Sequence, residues 1–256
     1  LIHETAIVDS SAVLSEGVSV GAYSVIGPDV TVGANSWIGP HVVINGPTSI
    51  GKNNRIYQFA SLGDSPQDKS YQGEPTRLEI GDDNLVREYV TINRGTVNGG
   101  GLTRIGNDNF IMAYSHIAHD CKIGNHNIFA NGASMAGHVH LGDYIVISGF
   151  ALIHQFVSIG SYCFLAMGSA IAKDVPPYIK VTGNPAKPFG LNSEGLKRRG
   201  FSAEAMTELK RAYKILYRQG LGLEDALQQM EQSREKCPEI GLMTDFIRQS
   251  RRSIIR

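Results

Sequence analysis

The sequence predicts a mainly β protein, a parallel β-solenoid that ends in a charged helical tail. Three observations carry this. An apolar residue recurs at every sixth position over most of the chain. Glycine is in excess, 29 of 256 residues, where a soluble domain would have about 7%. Charge is also unevenly spread. Positions 1–191 hold 11 Lys/Arg and 15 Asp/Glu, and positions 192–256 hold 13 and 9.

The six-residue register runs from Ile2 through Val8, Leu14 and Val20 to Leu62, breaks at 63–79, and returns at Ile80, Val86 and Ile92. It breaks again at 98–104 and then runs from Ile105 to Ile171, giving 26 hexads that each start with an apolar residue. Spacing of six fits neither a helix face (period 3.6) nor a lone alternating strand (period 2). It fits short strands separated by turns, stacked coil on coil. The fifth position is mostly small or aliphatic, as at Ser24, Val42, Ala60, Ser115, Cys121 and Cys163, so the first and fifth positions are expected to face inward. The second is Gly in 11 of 26, which is expected to relieve the backbone at the corners. Loop excursions are expected at 63–79 and 98–104 within a β-helix over 1–190.

After Pro176-Pro177 the pattern stops, and 191–256 is expected to be a helical domain. Ser202 is a predicted N-cap, followed by Met206, Leu209, Tyr213, Leu216 and Tyr217 at helical spacing. A second helix is predicted over Leu223–Lys236. A third begins near Pro238, which suits a first helical turn.

Net charge is zero, which argues against a nucleic-acid partner. No apolar run approaches the roughly 18–20 residues of a membrane span, and Leu1-Ile2-His3-Glu4 does not read as the start of a signal peptide. Three Cys without a CxxC pair make neither a disulfide framework nor a zinc knuckle. A cytoplasmic protein is expected.

Histidine marks the candidate site. None of the eight occupies an inward position, and six (His116, His119, His126, His138, His140, His154) crowd into one short stretch of the chain. If three hexads close one coil, adding 18 moves a residue to the same place on the next coil. Asp120 then stacks under His138. His119 lies under Gly137, and Gly137 under Gln155, which adjoins His154. A lone outward His is ordinarily a solvated surface residue, but this group converges. A general base, a carboxylate to orient it and a backbone N–H over a notch are the minimum for acyl transfer to a hydroxyl. No GxSxG-type nucleophile is present, which favours direct attack by the acceptor. The rival reading is zinc held by His116, His119 and His138, as three His hold it in γ-carbonic anhydrases. His116 at a sixth position and His119 at a third point to different surfaces, so no metal is expected.

The hexads resemble the left-handed parallel β-helix of the hexapeptide-repeat acyltransferases. Further motifs narrow this resemblance. Ala113-Tyr114-Ser115-His116-Ile117-Ala118-His119-Asp120-Cys121, Ala136-Gly137-His138-Val139, Ile153-His154-Gln155-Phe156 and Asn192-Ser193-Glu194-Gly195-Leu196-Lys197-Arg198-Arg199-Gly200-Phe201 are similar to those of the UDP-N-acetylglucosamine O-acyltransferases of lipid A synthesis. The resemblance implies a left-handed β-helix and a homotrimer with active sites between subunits. The implied reaction moves an (R)-3-hydroxyacyl group from acyl carrier protein to the glucosamine 3-hydroxyl of UDP-N-acetylglucosamine. No cofactor is needed beyond the carrier's phosphopantetheine. His119 would be the base, Asp120 its orienter and Gly137 the oxyanion donor. His116, His138, His154 and Gln155 would position sugar and phosphate, and Gln67 and Asp68 would reach the sugar and acyl site. Asn192, Glu194, Arg198 and Arg199 would meet the nucleotide.

Two departures stand out. Gln67-Asp68-Lys69-Ser70-Tyr71 displaces the family's usual loop Lys by one, and Asn93 stands where many members have His. Met167 occupies the position that measures acyl length, where Gly admits longer chains, so a short acyl group of about ten carbons is expected. The pathway's later N-acyltransferase shares the hexads, but the Glu-Gly-x-x-Arg-Arg-Gly tail favours the first reading. A scaffolding β-helix without catalysis would not need the clustered His.

Overall fold

The computed structural model describes residues 1–256. Three sheets of nine, eight and ten strands run the length of a prism. Along each sheet, neighbours are every third strand of the chain as far as Phe164–Leu165 and Ala170–Ile171, and pairing is parallel until the last hairpin, Ile179–Thr182 against Lys187–Leu191. The chain therefore visits three faces in turn, and one circuit is one coil. Regular coils pair at an offset of 18, with Ile7 beside Val25 and His116 beside Ser134. Two are longer, because Ser61 pairs with Thr91 at an offset of 30 and Thr91 with His116 at 25. The loops are shorter than the breaks in the hexads suggested. Strand resumes at Arg77 after the first loop and at Leu102 after the second.

The inward columns are as the hexads require. From Val20 to Ile171 every first-position side chain is buried. In the first coil, Ile2 is exposed and Val8 and Leu14 are half-buried. The fifth column is less apolar than expected. Asn54, Asn84, Asn109 and Asn127 form a buried ladder in which each Oδ1 accepts the next coil's backbone N–H at 2.8–2.9 Å. Each also donates to a glycine carbonyl at 2.9–3.1 Å. Buried polar groups persist only when hydrogen-bonded, and stacking identical coils satisfies these in series.

The corners correct the role expected of glycine. The left-handed backbone falls at the fourth position, on Tyr23, His41, Phe59, Tyr89 and Tyr114 along one edge, and not on the second-position glycines apart from Gly63. Those five rings stack at 4.9–5.3 Å, close to the ~4.8 Å strand spacing, and ring contacts of this kind help offset the cost of the αL conformation. Second-position Gly serves close approach instead. A methyl on Gly124 would lie 2.6 Å from the carbonyl oxygen of Gly142 on the next coil.

Four helices close the C-terminal end. Helix α1 (Ser193–Arg198) was not foreseen as a separate element and is capped by Asn192. Helix α2 (Ala203–Arg218) starts at the expected cap, where Ser202 accepts from the Ala205 N–H at 3.1 Å. Helix α3 (Leu223–Glu231) stops short of Lys236. Past its end, Arg234 turns to meet Asp245 through two bonds of 2.8 Å and Glu231 at 2.9 Å. Helix α4 (Pro238–Gln249) begins at the proline. Leu209, Leu216 and Met243 share one continuous core with the prism. No helix is long and apolar enough to cross a membrane.

Candidate active site

The two loops and one corner of the prism build the candidate site. Asp120 takes the left-handed corner conformation, φ 61°, and is 2% exposed. Both of its carboxylate oxygens are hydrogen-bonded. Its Oδ1 accepts the Thr96 N–H at 2.8 Å, and its Oδ2 accepts the Thr96 hydroxyl at 2.7 Å. The second loop thus lays Thr96 across the carboxylate. The Asp120 N–H donates to Thr103 Oγ1 at 2.7 Å. Burial would raise the Asp120 carboxyl, but the hydrogen bonds from His119 and Thr96 outweigh it and hold it below the ordinary carboxylate range.

His119 Nδ1 lies 2.7 Å from Asp120 Oδ2. A carboxylate only accepts, so Nδ1 carries a proton, and in the neutral imidazole Nε2 is then the acceptor. Nε2 and Cε1 sit over Gly137, where a methyl would lie 2.8 and 2.6 Å from them. The imidazole itself takes the space that the missing Cβ leaves, so glycine is what lets the ring lie against the next coil. The Gly137 N–H meets no acceptor within the protein. A proton acceptor and an unspent backbone donor are thus neighbours on this edge.

His138 stacks on the next coil as predicted, with Nε2 3.7 Å from Asp120 Oδ2 and its ring edge-on to His119 at 5.2 Å. Phe156 lies flat against its other face at 4.3 Å. Burial lowers the His138 pKa, and the Asp120 charge only partly opposes this. His116 is half-buried with Nδ1 2.7 Å from the Thr91 hydroxyl, and burial lowers its pKa too.

His154 and Gln155 are exposed one coil further on, held by Arg252, whose guanidinium donates to the Gln155 carbonyl at 2.6 Å. In the first loop, hydrogen bonds from Ser70 hold the Asp68 carboxyl low, and it lies within electrostatic reach of His119. Gln67 and Lys69 are exposed beside it. Arg94 ties the loop down, with bonds to Tyr71 Oη at 3.2 Å and the Gly46 carbonyl at 2.7 Å. Asn93 donates to the Ser65 carbonyl at 2.8 Å and so fixes the same loop from beneath.

Other predicted residues stand apart from this edge. Met167 is 77% exposed on the edge that carries Gly149. Arg199 lies over Tyr144, 4.2 Å from the ring centre, on the remaining edge. Arg198 is exposed, Glu194 pairs with Lys197 at 3.2 Å, and Asn192 is spent on its cap and on the Tyr162 carbonyl at 2.9 Å. One chain does not bring these to His119.

Thr96 and Thr103 were absent from the sequence-based site. Thr96 is a fifth-position residue, yet its side chain serves a carboxylate 24 positions away. Of the metal reading, what the fold brings together is His119, Asp120 and His138, with ligand atoms within 4.8 Å of one another. Of these, His119 Nδ1 and both Asp120 oxygens are already engaged with each other or with Thr96.

A sequence profile described as UDP N-acetylglucosamine O-acyltransferase, domain 2, matches residues 174–255, and a hexapeptide-transferase profile matches 29–64 and 102–137. The acyl-[acyl-carrier-protein]–UDP-N-acetylglucosamine O-acyltransferase of Herminiimonas arsenicoxydans is 55% identical over all of this chain and 99% of its own. The solved UDP-N-acetylglucosamine O-acyltransferase of Moraxella catarrhalis is 45% identical, covers 100% and 99% of the two chains and superposes with a TM-score of 0.98. The Francisella novicida enzyme is 43% identical over 100% and 94%, also at 0.98. The predicted fold class, a left-handed parallel β-helix with a C-terminal helical domain, holds.

Proposed function

This chain belongs to the acyl-[acyl-carrier-protein]–UDP-N-acetylglucosamine O-acyltransferases, the acyltransferases of the first step of lipid A synthesis, and we propose that it works by direct, base-assisted attack on the thioester. His119 Nε2 takes the proton of the glucosamine 3-hydroxyl as that oxygen attacks the acyl carbonyl carbon. The carbonyl oxygen becomes an oxyanion and accepts from the Gly137 N–H. Collapse breaks the C–S bond, and the proton on His119 passes to the departing pantetheine thiolate. Asp120 stabilises the imidazolium and fixes its ring. The reaction needs no cofactor or metal. The observation that carries this reading is His119, oriented by a buried carboxylate and lying against Gly137, whose backbone donor is unspent.

The arrangement of the edges supports a homotrimer. Tyr23, Tyr114, Phe150 and Met167 are large apolar side chains left 62–77% exposed, and exposed apolar groups of this extent mark interfaces. A site between subunits in the cytoplasm would let one chain's His119 edge meet a neighbour's Met167, with Asn192, Glu194, Arg198 and Arg199 taking the nucleotide. His116, His154, Gln155, Gln67 and Asp68 would position the sugar and diphosphate. Met167 then limits the acyl group to about ten carbons. The test is to mix the protein with (R)-3-hydroxyacyl carrier proteins of ten, twelve and fourteen carbons and UDP-N-acetylglucosamine. Mass spectrometry should find the 3-O-acyl sugar nucleotide, formed fastest from the ten-carbon donor. No product from any donor would refute the function.

A further inference from the structure

A cavity of about 1020 Å³ lies between one face of the prism and the end of the chain. Lys122, His140 and Ser158 wall one side, stacked on successive coils of one sheet. Phe246, Arg251 and Arg252 wall the other, and His138 with Phe156 form the end that meets the candidate active site. The cavity is unbalanced in charge. Its one acid, Asp174, is buried and spent on the Ser158 N–H at 2.8 Å and the Ser250 hydroxyl at 2.6 Å. Arg252 is committed to the Gln155 carbonyl. Arg104, next to Lys122 in the sheet, is spent on Glu79 at 2.7 Å. Lys122 and Arg251 have no such partner, and both add to the burial that disfavours protonation of His140. Three cations against one carboxylate on a concave wall favour an anionic ligand.

We propose that this cavity binds a phosphate ester, with Lys122 and Arg251 as its charged walls and His140 and Ser158 as polar partners. A phosphate matches two separated cations better than a carboxylate does, because its oxygens spread in three dimensions and the guanidinium fork takes two of them. Two groups could supply it, the carrier's phosphopantetheine or the nucleotide. The cavity's position beside His138 favours the pantetheine arm, an assignment that rests on the acyl-transfer reading above.

The test is binding, which is independent of turnover. Phosphopantetheine, pantetheine and UMP are each titrated calorimetrically into the unaltered protein and into Lys122→Ala, Arg251→Ala and the double variant. The unaltered protein should prefer phosphopantetheine to pantetheine, each single change should cost roughly three- to tenfold, and the double variant should lose the preference. The same losses for UMP in place of phosphopantetheine would uphold the phosphate site and assign it to the nucleotide. Unchanged affinities for both phosphates in a folded double variant would overturn the site. Phosphate binding without any acyl transfer would refute the enzymatic reading and leave the site standing.

Discussion

Replacing Thr96 by Val removes one hydroxyl from the Asp120 carboxylate and keeps the shape. The wild-type hydroxyl donates to Oδ2 at 2.7 Å and accepts from the Gly99 N–H at 3.2 Å. The backbone bond to Oδ1 and the His119 contact survive. A hydrogen bond to a charged acceptor is worth about 1.5–3 kcal/mol. If half of that reaches the transition state through the orientation of His119, kcat falls about 4–12-fold. KM for the acyl donor should change little, because Thr96 bonds the carboxylate and not His119 or Gly137. Stability should depend on pH with a definite sign. The native Asp120 carboxyl sits below its unfolded value, so its ionisation stabilises the fold above about pH 4 and that contribution is lost as the pH falls through the native value. Thr96→Val should therefore lose about 1.5–3 kcal/mol near pH 7 and progressively less in acid. Thr96→Ser should restore both rate and stability. Steady-state kinetics and urea unfolding at several pH values measure all of this. A Val variant with wild-type kcat and wild-type stability at pH 7 would refute the clamp.

Gly137→Ala should abolish most turnover while the fold persists, because the added methyl meets His119 at 2.6 Å in a part of the chain with no unusual φ; wild-type kcat would count against a role for this contact. Met167→Gly should lengthen the accepted acyl chain, and an unaltered ranking of donors by competition assay would remove Met167 from the site. Asn109→Ala breaks the ladder at its middle and strands the Asn127 N–H, so thermal unfolding should show a loss of about 1–3 kcal/mol; a loss well below about 1 kcal/mol, the net worth of one ordinary hydrogen bond, would show that the ladder is replaceable.

The prism was legible because its core is one rule repeated: an apolar residue at every sixth position is buried wherever a coil lies on each side. The corners were misread because composition shows a glycine excess but does not say which positive-φ positions the glycines fill. Stacked rings at Tyr89 and Tyr114 take those positions instead. The Asn ladder was hidden because a buried Asn resembles a surface one until the next coil is placed over it. Within the site, His119, Asp120, Gly137 and His138 were found by stepping from one coil to the next, which works where coils are uninterrupted. Thr96 was missed because a loop lies between it and Asp120, and the step no longer applies. The edges that carry Met167 and Arg199 were not distinguished from the His119 edge, since stepping along one column says nothing of how far around the prism another column lies.

If His119 is the base of an acyl transfer, the most direct measurement is the rate at which His119→Ala makes 3-O-acyl product, taken beside its affinity for UDP-N-acetylglucosamine. Loss of a general base predicts a fall in kcat of about 10²–10⁴ with sugar-nucleotide binding retained. Wild-type turnover by the His119→Ala protein would contradict it.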